Sequence, residues 1–282
     1  MRLLEPRSED FKTLTRRITA LILIVWLATV VLPQPLQGAS QDRPKQPRMP
    51  QEQTTTERAG EIEMIRPSGL QPVFPEEVRC PEIASPFGSQ TRYDGSRRPP
   101  WEFGGYHGGI DISLAEGTPL LTLATGTVVT KGEGGQLEGN YLWLRHSPED
   151  TGLSYWVYSK YQHLQSLPEL PTGAKVVAGQ VIARSGKTGT TGGHYGRAGY
   201  PHLHLTTLAS PSDDLSVGAR GSTGGGNLID PLVLFHESGA KPEKSDGPPS
   251  GEKAVRIPYV TADGQLRPQG TRVVWPLACQ PR

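Results

Sequence analysis

Between residues 80 and 237 the chain never sustains a 3.6-residue apolar period long enough for a substantial helix. Short β-prone runs at 120–124, 127–130, 141–146, 154–161, 176–177, 181–183 and 202–207 alternate instead with glycine-rich turns. Short strands at this regular spacing predict an all-β domain, an antiparallel β-sandwich or open barrel. Composition points the same way. The 282 residues include 34 Gly and 27 Pro, and only 35% are hydrophobic, which argues against a helical bundle or coiled coil.

The flanks read differently. Residues 18–32 form an apolar run that follows Arg16-Arg17 and stops at Pro33. As a helix it would reach about 22 Å, short of the roughly 30 Å hydrocarbon core of a bilayer. Basic residues, a short apolar stretch and then Gly38-Ala39-Ser40 predict a secretory signal over 1–40, cleaved after Ser40. The rival reading is an uncleaved membrane anchor, the one case in which this chain meets a membrane. Residues 41–77, rich in Pro, Gln, Thr and charge, are expected to be a flexible, disordered N-terminal tether. The folded domain is expected over 78–237, a second Pro/Gly/charge-rich linker over 238–253, and an extended C-terminal tail over 254–282. That tail is too short for a core of its own and should pack on the domain.

Charge and cysteine content narrow the partners. With 29 basic and 28 acidic residues the formal charge is +1, and removal of residues 1–40 makes it −1. Nothing in this balance attracts nucleic acid. Two cysteines 199 positions apart exclude a Cys-rich zinc finger or a small knotted scaffold. In an exported protein they predict a disulfide, Cys80 to Cys279, clamping the two ends of the folded region.

All seven histidines lie between 107 and 236. In His107-Gly108-Gly109-Ile110-Asp111 the two glycines oppose a helix but allow a bend that returns the histidine toward the aspartate. In His202-Leu203-His204 the strand period puts both imidazoles on one face, roughly 6–7 Å apart. A third context is Tyr161-Gln162-His163-Leu164. Neutral imidazoles and one carboxylate suit zinc, and three protein ligands leave a fourth position for water. His107, Asp111 and one of His202 or His204 supply three; the remaining members would be acid–base groups. A serine hydrolase is disfavoured, because no Gly-x-Ser-x-Gly elbow occurs.

These residues, in this order, resemble the M23 family of zinc metallopeptidases, the lysostaphin- and LytM-like peptidoglycan endopeptidases. The resemblance runs from residue 83 to residue 235. It rests on Ile83-Ala84-Ser85-Pro86-Phe87-Gly88, the His107–Asp111 motif, Gly117-Thr118-Pro119-Leu120 with Ala124-Thr125-Gly126-Thr127-Val128, and the segment from Asn140 to His146. It continues through Tyr161-Gln162-His163-Leu164, the segment from Val176 to Ile182, Pro201-His202-Leu203-His204 and Ile229-Asp230-Pro231. The resemblance implies a LytM-like, duplicated-hybrid-motif fold. It further implies one Zn²⁺ held by His107, Asp111 and His204, with His163 and His202 as catalytic groups around the fourth position.

The implied activity is hydrolysis of peptide cross-links in peptidoglycan by metal-activated water, by a monomer in the periplasm or cell envelope. Glycine bridges and D-Ala–diaminopimelate cross-links are both compatible. The alternative is a catalytically silent module that binds or activates another wall hydrolase, which the intact ligand set opposes. Departures from the family pattern are a Gly-rich insertion over 191–200 with a surface histidine, His194, a long segment over 131–139, and His204-Leu205-Thr206, where an acidic residue usually follows. His146 reads as structural and His236 as a surface residue.

Overall fold

The β-prone runs assemble around one large antiparallel sheet. In this computed structural model residues 65–190, 199–223, 226–237 and 253–282 are described. The expected signal or anchor, the tether up to residue 64, positions 191–198 with His194, and 238–252 lie outside the described residues. The sheet order is Ile83–Ser85, Ile110–Ser113, His202–Ser210, Trp156–Leu164, Asn140–His146, Gly126–Glu133 and Lys175–Val176, with Asn227–Ile229 also paired to His202–Ser210. Each neighbour is antiparallel to the next. The long central strands are buried on both faces.

Period-2 alternation sorts the side chains into two very different faces. One face carries Ile110, Ile112, Leu142, Leu144, Val157, Tyr161, Leu203 and Leu205, all in the main aliphatic core. The other carries Asp111, His202, His204, Thr206, Gln162, Lys160 and Trp143, all lining one cleft. Beyond the cleft, Tyr141, Trp143, Tyr158, Leu208 and Leu215 form a smaller core.

Two short helices depart from the all-β reading, Pro148–Thr151 and Pro231–Glu237. The first is a capped turn: Ser147 and Asp150 form a reciprocal capping box, and Gly152 ends it in the left-handed conformation. Neither spans enough residues to show a helical period.

The C-terminal residues complete the core. Lys253–Arg256 pairs in parallel with Leu70–Val73, and Tyr259–Thr261, Leu266–Arg267, Ala278–Pro281 and Val78–Arg79 form a four-stranded sheet. Trp275 is fully buried, packs on Phe74 at 5.2 Å and on Phe235 at 5.9 Å, and donates through Nε1 to the Pro81 carbonyl at 3.0 Å. Cys80 and Cys279 are joined in a disulfide. Residues 70–73 and 253, which composition assigns to linkers, thus lie in strands. Pro67, Pro72 and Pro75 make this stretch look like a tether, while Phe74 and Val255 anchor it to the core.

Candidate metal centre

His204 and Asp111 sit directly opposite each other on adjacent antiparallel strands, and His202 faces Ser113. The cross-strand register therefore delivers a carboxylate to an imidazole with no loop involved. His107 reaches the same point from the turn before Ile110–Ser113. That turn lies hard against the neighbouring strand: a Cβ on Gly109 would stand 2.3 Å from the Leu205 carbonyl oxygen and 3.0 Å from His204 Nε2. Only glycine fits so close an approach.

The result is a triangle of donor atoms. His107 Nε2 lies 3.1 Å from Asp111 Oδ1 and 3.1 Å from His204 Nδ1, and His204 Nδ1 lies 2.8 Å from Asp111 Oδ1. His107 Nδ1 donates to the Pro86 carbonyl at 3.0 Å, which leaves Nε2 as a lone pair aimed into the triangle. His204 turns Nε2 to Thr206 Oγ1 at 3.0 Å and presents Nδ1 to the same point. Asp111 Oδ2 points away and is held by Arg98 Nη2 at 3.2 Å. Electron pairs converging in a buried pocket call for a cation among them.

The spacing fits zinc. Ligands about 2.0–2.1 Å from a tetrahedral Zn²⁺ stand roughly 3.3–3.4 Å apart, and the three separations here are a few tenths of an ångström tighter.

Two more imidazoles border the triangle. His163 lies 4.6 Å from His202 and 6.1 Å from His204 by ring centroids. Strict alternation would send His163 to the aliphatic face with Tyr161. A bulge intervenes: Asn140 pairs with Leu164 but Leu142 with Tyr161, and His163 takes a left-handed φ of 61°. This flips the imidazole into the cleft and returns Leu164 to the core. A non-glycine residue in this conformation is strained, as is common at functional sites.

The tautomers of both are fixed by main-chain acceptors. His163 Nδ1 donates to the Thr188 carbonyl and His202 Nδ1 to the Tyr200 carbonyl, each at 2.9 Å. Nε2 is therefore the basic atom in each ring, and His202 Nε2 lies 3.7 Å from Asp111 Oδ1. Burial holds both rings below the ordinary histidine range; for His163 the neighbouring His202 and His204 add to the effect, while for His202 the Asp111 carboxylate opposes it. Burial takes His204 down to about 4, against the pull of Asp111. For Asp111 burial acts upward, but the facing His107 and His202 prevail and hold the carboxyl well below its usual range.

Sequence reasoning missed several neighbours. Arg98 is a largely buried guanidinium that bridges Ser85 Oγ at 2.9 Å and Asp111. Tyr200 stacks on His202 at 4.3 Å with the rings 19° apart. No spacing signal marks either residue. His146 is buried on the opposite face, bonded to the Thr125 carbonyl and to Ser159 Oγ, both at 2.8 Å, and takes no part in the cleft. His236 is exposed.

Comparison with known proteins covers the same region. Residues 105–213 match the model of peptidase family M23, a span holding the four cleft histidines and Asp111. An uncharacterized metalloprotease of Haemophilus influenzae is 35% identical over 130 residues, 45% of this chain and 22% of that protein. The peptidoglycan DD-endopeptidase ShyC of Vibrio cholerae is 36% identical over 104 residues, 37% of this chain and 20% of its own length. The chain thus spans about a fifth of the length of these curated relatives. The catalytic domain of lysostaphin from Staphylococcus simulans is 25% identical, over 51% of this chain and 87% of that domain, with a TM-score of 0.36. The span that matches, residues 105–213, carries the convergent donor triangle, and in this part the chain is similar to peptidase family M23.

Proposed function

We propose that this protein is an exported zinc endopeptidase that hydrolyses peptide cross-links of peptidoglycan. The observation that carries the reading is the donor triangle of His107 Nε2, Asp111 Oδ1 and His204 Nδ1, open on one side to a cleft of about 340 Å³. His107, Asp111 and His204 would hold a zinc ion, which when bound would supply a water with pKa lowered toward ~7 and polarise a substrate carbonyl. His163 and His202 border that site with unprotonated Nε2 atoms, so either can accept a proton from the attacking water, and the imidazolium so formed can stabilise the developing oxyanion and pass that proton to the leaving amine. Arg98 fixes Asp111 so that a single oxygen faces the site.

The peptidoglycan substrate is supported by the name of the Vibrio relative. A location outside the cytoplasm is supported by the Cys80–Cys279 disulfide and by the apolar segment at 18–32. The test is digestion of purified sacculi with the full chain, followed by mass spectrometry of the released muropeptides. Release of peptide-cleaved products that a chelator stops and stoichiometric zinc restores is the expected result. Intact cross-links after digestion by a zinc-loaded protein would overturn it.

A further inference from the structure

The cleft continues past the metal centre to a buried lysine that the chemistry above does not use. Lys160 pairs across the sheet with Thr206, two residues and roughly 7 Å along the strand from His204. It is 2% exposed, lies over the rings of Tyr141 at 5.2 Å and Trp143 at 5.8 Å, and donates to Glu138 Oε2 and to the Ala219 carbonyl. Burying an ammonium is costly, and Glu138 neutralises it. The cost secures geometry: one cation ties both the 134–139 loop and the 216–223 hairpin to the cleft floor.

The hairpin is pinned a second time, by Trp143 Nε1 donating to the Gly218 carbonyl at 2.9 Å. Its strands, Ser216–Gly218 and Gly221–Thr223, close on a two-residue tip of Ala219 and Arg220. One pin grips the tip at Ala219 and the other the strand end beside it at Gly218, next to Arg220, which lines the cleft. The other cations lining the cleft are matched. Arg92 and Arg98 pair with Glu102 at 3.5 and 3.8 Å, Arg98 also with Asp111, and Lys160 with Glu138. Arg220 is exposed and has no ion pair or hydrogen bond among the described residues.

We propose that Arg220 is a specificity-determining residue, whose guanidinium receives a free carboxylate of the peptide substrate one or two residues from the scissile amide. Lys160, which holds the tip, lies opposite Thr206 and so roughly 7 Å along the strand from His204, the length of two residues of extended peptide at about 3.3–3.6 Å each. Lys160 acts as a positioning residue that holds the hairpin tip. This deepens the peptidase reading and rests on it: the preferred substrate is a cross-link between carboxylate-bearing peptides, and an uncharged glycine bridge leaves Arg220 without a partner.

The test uses two synthetic cross-linked peptides that differ only in a free carboxylate or its carboxamide beside the scissile amide. Both are N-methylated at that amide so that binding to the zinc-loaded full chain is read without turnover. The wild type is expected to bind the carboxylate peptide about tenfold more tightly. Arg220→Ala should erase that preference by weakening the carboxylate peptide alone, and Arg220→Lys should restore part of it. No preference in the wild type, a preference that survives Arg220→Ala, or no binding of either peptide overturns the proposal. Hydrolysis of the unmethylated pair is measured separately. Cleavage without discrimination removes this proposal and leaves the peptidase reading standing, while discrimination in binding without cleavage does the reverse.

Discussion

The two faces of the central sheet are built from the same strands and do opposite work. On His202–Ser210, Leu203 and Leu205 point into a close-packed aliphatic core, while the alternating His202 and His204 point into the cleft. The aliphatic face gains free energy from every buried methylene. The cleft face buries a carboxylate, an ammonium and several imidazole lone pairs, each unfavourable unless partnered. The fold tolerates this because the cleft face leans on the other. Asp111 is flanked by Ile110 and Ile112, and Lys160 by Ser159 and Tyr161, with all four neighbours fully buried. Stability and chemistry are therefore separable by single-residue steps along one strand.

The sharpest way to break the comparison is a pair of adjacent substitutions. His204→Ala should abolish zinc binding and lower hydrolysis by more than about a thousandfold, the loss of several kcal/mol of transition-state stabilisation, with little change in thermal midpoint relative to the metal-free wild type. Zinc content, turnover and melting of the same preparation read all three. Leu203→Ala should cost about 2–5 kcal/mol of stability while the folded fraction keeps its zinc and its turnover. Denaturant unfolding with parallel activity assays reads that result.

A third perturbation concerns a histidine on the structural face. His146 is fully buried, and burial lowers its pKa from 6.5 to about 4. Between those values the unfolded chain holds a proton that the native state refuses, so stability falls as pH drops below 6.5. Its contribution to the loss should reach about 2–3 kcal/mol at pH 4.5 relative to pH 7, and His146→Gln should flatten that part of the slope. The smallest effect sharpens the cleft side. Arg98→Met frees Asp111 Oδ2, and a competition titration should show zinc affinity weakened roughly 10–100-fold with the fold retained.

Much of the fold could be read before the structure. Period-2 alternation puts His202 and His204 on one face, and the glycines after His107 permit its return toward Asp111. That Asp111 meets His204 comes only from the family resemblance; pattern alone cannot give it, because register depends on which strands become neighbours, and 93 residues separate these two. His163 likewise enters through the resemblance and not through strand alternation. Its place in the cleft depends on a bulge and a left-handed backbone with no glycine to mark it. Arg98 and Tyr200 come from loops whose composition says only that they turn, and Lys160, though on a strand, finds its partners Glu138 and Ala219 in such loops. The helix Pro148–Thr151 and the strand Leu70–Val73 escaped notice for a simpler reason: four residues are too few to display a period.

The central claim is that three side chains from separate parts of the chain bind one zinc ion and leave it one exchangeable position. Zinc K-edge X-ray absorption on the purified full chain, at known metal stoichiometry, tests it most directly. One zinc per chain is expected, in a four-coordinate shell of nitrogen and oxygen at about 2.0–2.1 Å with two imidazole signatures and no sulfur. Substoichiometric zinc, a sulfur scatterer near 2.3 Å, or a shell lacking the two imidazoles would contradict it.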